Sequence, residues 1–439
     1  MKKLTKAMIA RSRAYEGSPE RLVKLMRRAA AGKSLTLCFL GGSITQGSLS
    51  STRETCYAYL VYDWFVKRFP KADLTYVNAG IGGTTSQFGV TRLQENVTCA
   101  RPDFCMVEFS VNDAANPFFK ESYEGVIRRL WNYKTKPALL IMNNLFYDTG
   151  VNTQAEHNAI AEAYDIPCIS VRDAVRPEIE AGRIMREDVS PDGLHPNDAG
   201  HQILAGLVTA YLEELCSRYV DCDNAAGTCL LDGNAGTTAT RKSENRAAAA
   251  AEPAAPIVTI RPVTVNGMEH LHRIQYRSSA VECDGFKPDY AKKRGIWDLF
   301  RHGWKAGTVG NSIRLEFTGS ELAIQYRKTI NRPAPVAVAV IDGDEAHPVT
   351  LDANFDEDWG DSIHIDTLLY HGVRVNPKDI LCGRVQFAEP TAAEAAREAE
   401  LDRISQIVPE KLRHTVEIRI TETHEDDRVP FYLVSFMVG

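Results

Sequence analysis

Between about residues 35 and 219, short apolar runs alternate with longer helical stretches, and this alternation constrains the fold more than any other feature. Strands are expected at 35–40, 74–78, 104–109, 138–143 and 167–171. Helical patterns fill the gaps at 57–68, 89–99, 122–133 and 153–164, and a last helix is expected around 198–218. Apolar strands joined by helical crossovers form a parallel sheet, because parallel neighbours need a long return and the returning helices cover both faces.

Residues 221–256 change in character. They are rich in Ala, Gly, Thr and Asn, carry little to bury and end in prolines, which reads as an interdomain linker. Beyond it the apolar period falls to two: Ile313, Leu315 and Phe317, then Leu322, Ile324 and Tyr326, then Val336, Val338 and Val340, and later Val416, Ile418 and Ile420. The last run, VPFYLVSFMVG, is apolar on both faces and reads as a central strand. Short strands parted by turn signals indicate an antiparallel β-sandwich, interrupted at 391–412 by a segment of helical composition. The expected organisation is a first domain at 1–220 with an N-terminal helix, a linker at 221–256 and a sandwich at 257–439.

Length and composition agree with two globular domains: 439 residues, 44% hydrophobic and 25% charged. A net charge of −6 is not that of a nucleic-acid binder. The basic N-terminus lacks the apolar core of a signal peptide, and Leu22, Val23, Leu25 and Met26 have the spacing of an amphipathic helix. No run is long enough for a membrane span. Of the ten cysteines, Cys38, Cys105, Cys168 and Cys382 lie in or beside apolar runs, which favours reduced thiols and a cytoplasmic location. Cys222 and Cys229 flank the linker and are the first pair to test for a disulfide.

Four short segments carry candidate chemistry. In LCFLGGSITQGS a strand runs into Gly41, Gly42 and Ser43, so the serine stands at the carboxyl edge where open parallel sheets bind ligands. In YVNAGIGGTTSQFGVTRL another strand ends in glycines, and Gly83 can offer an unobstructed N–H. In CMVEFSVNDAAN, Asn112 follows a third strand and can donate to an oxyanion, although Asn-Asp there also reads as a plain turn. In SPDGLHPNDAGHQILA, Asp192 and His195 share a turn that sets a carboxylate against one imidazole nitrogen and leaves the other to take a serine proton. His201, on the helix that follows, reads as structural.

Taken together and in this order, the segments resemble blocks I, II, III and V of the SGNH (GDSL-like) hydrolase superfamily. The resemblance covers roughly residues 35–215. It implies a flavodoxin-like three-layer α/β/α fold. It also implies Ser43 as nucleophile, an oxyanion hole from Ser43, Gly83 and Asn112, and Asp192 and His195 as acid and base. Segment two looks especially like bacterial thioesterase/lysophospholipase members, which selects Gly83 over Gly80 and Gly82. One departure is plain: Gly42 stands where the family name implies aspartate, which puts the loop's geometry in question more than its chemistry.

The reaction implied is a two-step acyl transfer that requires no metal or cofactor. The sandwich resembles the carbohydrate-binding-module-like domains appended to some SGNH esterases. Within it, Trp297, Trp304 and Trp359 can stack on sugars or fill the core, and GIWDLFRHGWKAG brings Arg301, His302 and Trp304 together as candidate substrate contacts. The acidic loops LDANFDEDWGD and TETHEDDRVP lack EF-hand spacing and read as solvated. The preferred expectation is an esterase that removes O-acetyl groups from carbohydrate, with no nucleic-acid or membrane partner and with a homo-oligomer compatible with the sequence. The alternatives are a lipolytic esterase or thioesterase with a longer acyl pocket, an acyltransferase between sugars, and a catalytically silent sugar-binding protein.

Overall fold

The structure, a computed structural model, describes residues 4–221, 262–264, 268–292, 299–385 and 412–439. All of the expected linker but Asp221, with Cys222, Cys229, Trp297 and most of the helix-like segment at 391–412, lies outside them.

Five parallel strands form the first sheet: β2 (Ser34–Gly41), β3 (Asp73–Gly80), β4 (Phe104–Glu108), β5 (Ala138–Asn143) and β6 (Cys168–Ser170). A short β1 (Arg13–Tyr15) pairs antiparallel with β6, and the order across the sheet is β1-β6-β5-β4-β2-β3. The parallel strands thus run 2-1-3-4-5, the flavodoxin-like order, and each matches an expected strand to within two residues at either end.

Strand periodicity sorts the core into two layers. Leu35, Leu37 and Phe39 of β2 face one side, where α1 (Lys6–Arg11), α2 (Glu20–Ala30), α4 (Tyr57–Arg68), α8 (Val171–Glu180) and α9 (Asp198–Leu215) close over them. Cys38 and Leu40 face the other side, against α5 (Ser86–Asn96), α6 (Pro117–Trp131) and α7 (Gln154–Ala163). A short α3 (Ser43–Gln46) follows β2 directly. Helix α8 was not expected, and Pro177 within it disguises its periodicity.

After the linker the chain forms two antiparallel sheets. The larger contains β7 (His272–Ile274), β9 (Lys287–Pro288), β10 (Trp304–Ala306), β12 (Leu322–Lys328), β15 (Ser362–Tyr370), β16 (Val373–Arg374) and β18 (Phe431–Val438). The smaller contains β8 (Val281–Asp284), β11 (Ser312–Thr318), β13 (Val336–Ile341), β14 (Val349–Asp352) and β17 (Arg413–Glu422). Alternate residues of both, among them Ile313, Leu315, Ile324, Ile418 and Leu433, fill one core between them, which is the expected sandwich.

Strand β18 is buried along its whole length because it has a second neighbour. While Leu433 and Phe436 fill the sandwich, Met437, with Ala323 of β12 and Leu271, packs into the α5–α7 layer of the first domain. Polar links ring this contact: Gln87 Nε2 donates to Thr367 Oγ1 at 2.9 Å, Arg128 forks onto Glu269 at 2.9 and 3.1 Å, and His371 Nε2 lies 2.9 Å from Glu121. All eight cysteines among the described residues are free thiols. Cys382, expected beside an apolar run, is exposed at the end of the short helix Pro377–Leu381.

The interdomain role of Met437 predicts a graded response to substitution. Met437→Ala should lower the free energy of unfolding by about 2–5 kcal/mol, and Met437→Leu by less than about 1.5 kcal/mol. Urea unfolding measures both, and equal stabilities for the two variants would contradict the packing described.

Candidate active site

The order of the parallel strands reverses at β2, between β3 and β4, and ligands of open α/β sheets bind at such a reversal, beyond the strands' carboxyl ends. Three of the four sequence segments lie there. Ser43 begins α3 directly after β2, Gly83 follows β3 by three residues, and Asn112 follows β4 by four. The fourth, the turn before α9, reaches the same place from the opposite layer.

His195 Nε2 lies 2.8 Å from Ser43 Oγ, and His195 Nδ1 lies 2.7 Å from Asp192 Oδ2. The carboxylate requires the proton on Nδ1, which leaves the Nε2 lone pair for the serine hydroxyl. Asp192 Oδ1 also accepts the backbone N–H groups of Leu194 (2.9 Å) and His195 (2.7 Å). Partial burial works to raise the Asp192 pKa, but these bonds from His195 and Leu194 outweigh it and hold the carboxyl below its usual range. The turn is anchored from outside, since Tyr147 N–H donates to Gly193 O at 2.7 Å and Arg186 Nη1 to Pro191 O at 2.7 Å. A serine in this setting can lose its proton to the imidazole as it attacks a carbonyl.

The two remaining candidate donors lie on the loops that follow β3 and β4. Gly83 holds φ +67°, a left-handed conformation that favours glycine. The N–H of neighbouring Gly82 is taken by Gln46 Oε1 at 2.7 Å, whereas that of Gly83 has no partner among the described residues. The Asn112 amide leans on Gly42: a Cβ built at Gly42 would lie 2.1 Å from Asn112 Oδ1. Position 42, the departure from the family pattern, therefore has no room for a side chain unless the Asn112 amide shifts.

The surrounding support was not singled out in the sequence. Asp113, fully enclosed, accepts the N–H of Ser86 at 2.8 Å and meets His157 Nε2 at 3.3 Å, tying the loop after β3 to the loop after β4. Glu108, buried at the end of β4, is pushed by desolvation up to about 7 and lies near Thr45 Oγ1, which shares a 2.7 Å hydrogen bond with Tyr57. Arg92 of α5 is wholly buried beneath the ends of β2 and β3. The available signal was a lone charge inside an apolar stretch, as Glu108 is in FCMVEF. His201 is structural as expected: its Nδ1 accepts the Tyr57 N–H at 3.2 Å and its Nε2 faces Ser48 O at 3.3 Å.

The candidate substrate contacts divide. Trp304 is not one of them: it is 1% exposed in β10, edge-on to Phe436 inside the sandwich, because its position on the strand faces the core. His302 lies against the Tyr276 ring at 5.4 Å. Arg301 lines a groove of about 310 Å³ between the domains with Gln46, Gly80, Ile81, Phe88 and Leu299, beside the serine turn. Trp359 is 63% exposed, its ring edge-on to Phe355.

A flavodoxin-like sheet with Ser, His and Asp joined at its switch point is an arrangement that serine hydrolases use. Residues 39–203 match the GDSL-like lipase/acylhydrolase family. Thioesterase 1/protease 1/lysophospholipase L1 of Escherichia coli K12 is 28% identical over 201 residues, 44% of this chain and 90% of that protein. The acetylxylan esterase of Geobacillus stearothermophilus is 26% identical over 220 residues, 43% of this chain and 97% of that protein. The similarity extends through both domains to a two-domain esterase active on acetylated mannans, co-crystallised with mannopentaose. It superposes with a TM-score of 0.78 at 41% identity, over 98% of this chain and 97% of that one. The chain belongs to the GDSL-like lipase/acylhydrolase family and is a carboxylic ester hydrolase.

Two predictions follow from these contacts. Gly42→Ala should displace the Asn112 amide and reduce ester turnover by about 10²–10³-fold, the usual effect of losing one oxyanion donor; steady-state kinetics showing unchanged turnover would contradict it. The second concerns His201, whose pKa burial pushes down to about 4. The unfolded chain takes up this proton near about 6.5, so it binds more protons than the folded chain between the two values. Stability should therefore fall, by roughly 3 kcal/mol, as pH drops from about 6.5 toward 4. Urea midpoints across that range should change less in His201→Asn than in wild type, and equal slopes would contradict the assignment.

Proposed function

We propose that this esterase removes O-acetyl groups from a carbohydrate, with acetylated manno-oligosaccharides as the first substrates to test. The observation that carries the substrate class is the similarity along both domains, at 41% identity, to an esterase active on acetylated mannans. An acetylxylan esterase among the single-domain relatives points to the same type of ester.

In this reading Ser43 is the nucleophile. His195, held in one tautomer by Asp192 at 2.7 Å, takes the Ser43 proton across 2.8 Å as Oγ attacks the acetyl carbonyl. The N–H groups of Ser43 and Gly83 and the Asn112 amide receive the negative oxygen of the tetrahedral intermediate. Donors held by a fixed fold need not reorganise as charge develops. Collapse breaks the C–O bond to the sugar, whose oxygen takes the proton from His195. Water then attacks the acetyl-Ser43 ester, His195 accepts its proton, and acetate leaves as the proton returns to Ser43.

A longer acyl preference is the second reading, motivated by the 28% identity to an E. coli thioesterase/lysophospholipase. The free thiols of all eight described cysteines support a reducing compartment, and a cytoplasmic site of action is part of the proposal.

Acetate release from acetylated manno-oligosaccharides, followed by NMR, tests the proposal. Ser43→Ala and His195→Ala should each lower turnover by about 10⁴-fold or more, and chromogenic acetate should be cleaved faster than octanoate. Full activity in Ser43→Ala would remove the mechanism, and turnover rising from acetyl to octanoyl would remove the substrate class.

A further inference from the structure

The charge that most needs an explanation in the first domain is on Arg92. Its side chain is fully buried on α5, and among the described residues no carboxylate forms an ion pair with it. Desolvation, together with the like charge of Arg273, pushes its pKa down to about 9, so it remains a cation at neutral pH in surroundings that disfavour one. An apolar side chain of similar reach would fill this space without that penalty. The explanation lies in what the guanidinium holds.

Nη1 donates to Ala79 O at 2.6 Å and Nη2 donates to Gly41 O at 3.0 Å. These carbonyls belong to adjacent strands at their last rungs, where Leu40 pairs with Ala79 and Gly41 with Gly80. Immediately beyond them the strands part: β2 turns through Gly42 into Ser43, and β3 continues through Gly80 and Ile81 toward Gly83. The two loops also touch directly, since Ile81 N–H donates to Gly41 O at 3.0 Å and Gly82 N–H to Gln46 Oε1 at 2.7 Å. We propose that Arg92 is a positioning residue for catalysis, one rigid guanidinium that clamps the final carbonyls of β2 and β3 and so sets the distance between Ser43 and the Gly83 N–H.

Arginine suits this task and lysine does not. A guanidinium presents parallel N–H groups in a fixed plane, so the separation of two acceptors is set by its covalent geometry, whereas an ammonium is a point charge on a flexible stem. The cation has a second effect. Carbonyls at the carboxyl end of a parallel sheet direct negative charge toward the site where the oxyanion forms, and Arg92 neutralises two of them. It does so from behind, without access to substrate.

The second domain takes part in this arrangement. Arg273 of β7 and Arg92 both lie on the Phe88 ring, at 5.2 and 5.4 Å from its centroid, and Arg273 is paired with Glu95 of α5. Docking of the sandwich thus seals the helix that carries Arg92.

The inference rests on the reading of Ser43 as nucleophile and Gly83 as an oxyanion donor, and the test separates the two. Wild type, Arg92→Lys, Arg92→Met and Ser43→Ala are compared on a chromogenic acetate ester and with a fluorophosphonate that labels the nucleophile. Both Arg92 variants should lose about 10- to 100-fold in kcat with KM within about threefold of wild type. The rate constant for phosphonylation of Ser43 should fall in parallel while the final extent of labelling stays complete, which excludes a smaller folded fraction as the cause. Arg92→Lys, which keeps charge and bulk, decides the matter alone should Arg92→Met not fold. Wild-type kcat and phosphonylation rate in folded Arg92→Lys would overturn the proposal while leaving Ser43 as nucleophile. Hydrolysis by Ser43→Ala at the wild-type rate would overturn both.

Discussion

The site depends on three neighbouring parallel strands, β3, β2 and β4, ending at one level. Their register pairs Gly41 with Gly80 on one side and with Glu108 on the other, so the loops that follow start side by side. Ser43, Gly83 and Asn112 come from those three loops, and their separation is inherited from the roughly 4.8 Å spacing of hydrogen-bonded strands. His195 and Asp192 then need only one turn, pinned at Gly193, to reach the serine across the edge of the sheet. The chemistry is therefore carried by loops, while its precision belongs to the sheet beneath them.

The supporting groups are costly to bury, and each connects two loops. Asp113 ties the start of α5 to the turn after β4, and Arg92 ties the ends of β2 and β3. A Cβ at position 42 would collide with the Asn112 amide where it now lies. The sandwich completes the enclosure: β18 gives one face to its own core and the other, through Met437, to the layer that contains α5. Its Arg301 and Leu299 line a groove between the domains together with Gln46 of α3 and Ile81.

Much of this was legible from residue patterns because local rules and tertiary packing agree. Parallel strands buried on both faces are written as continuous apolar runs, and α4 was expected at the bounds it occupies. Ser43, Asp192 and His195 could be read because each sits in a Gly- or Pro-containing turn next to a strong element. Trp304 misled because an aromatic beside Arg301 and His302 reads as a contact surface, while strand alternation turns it into the core. Helix α8 was hidden by Pro177. Arg92, Glu108 and Asp113 were not legible as functional residues, since their roles come from backbone carbonyls and side chains distant in sequence, to which local periodicity is blind.

The central claim is that acyl transfer passes through Ser43. Rapid acid quench of wild type during turnover of an isotopically labelled acetyl ester, followed by peptide mapping, tests it directly. The account predicts one labelled acetyl group on the peptide containing Ser43, formed before steady state and lost on further incubation with water. Label on another residue, or turnover with no covalently held acetyl group at any time, would contradict it.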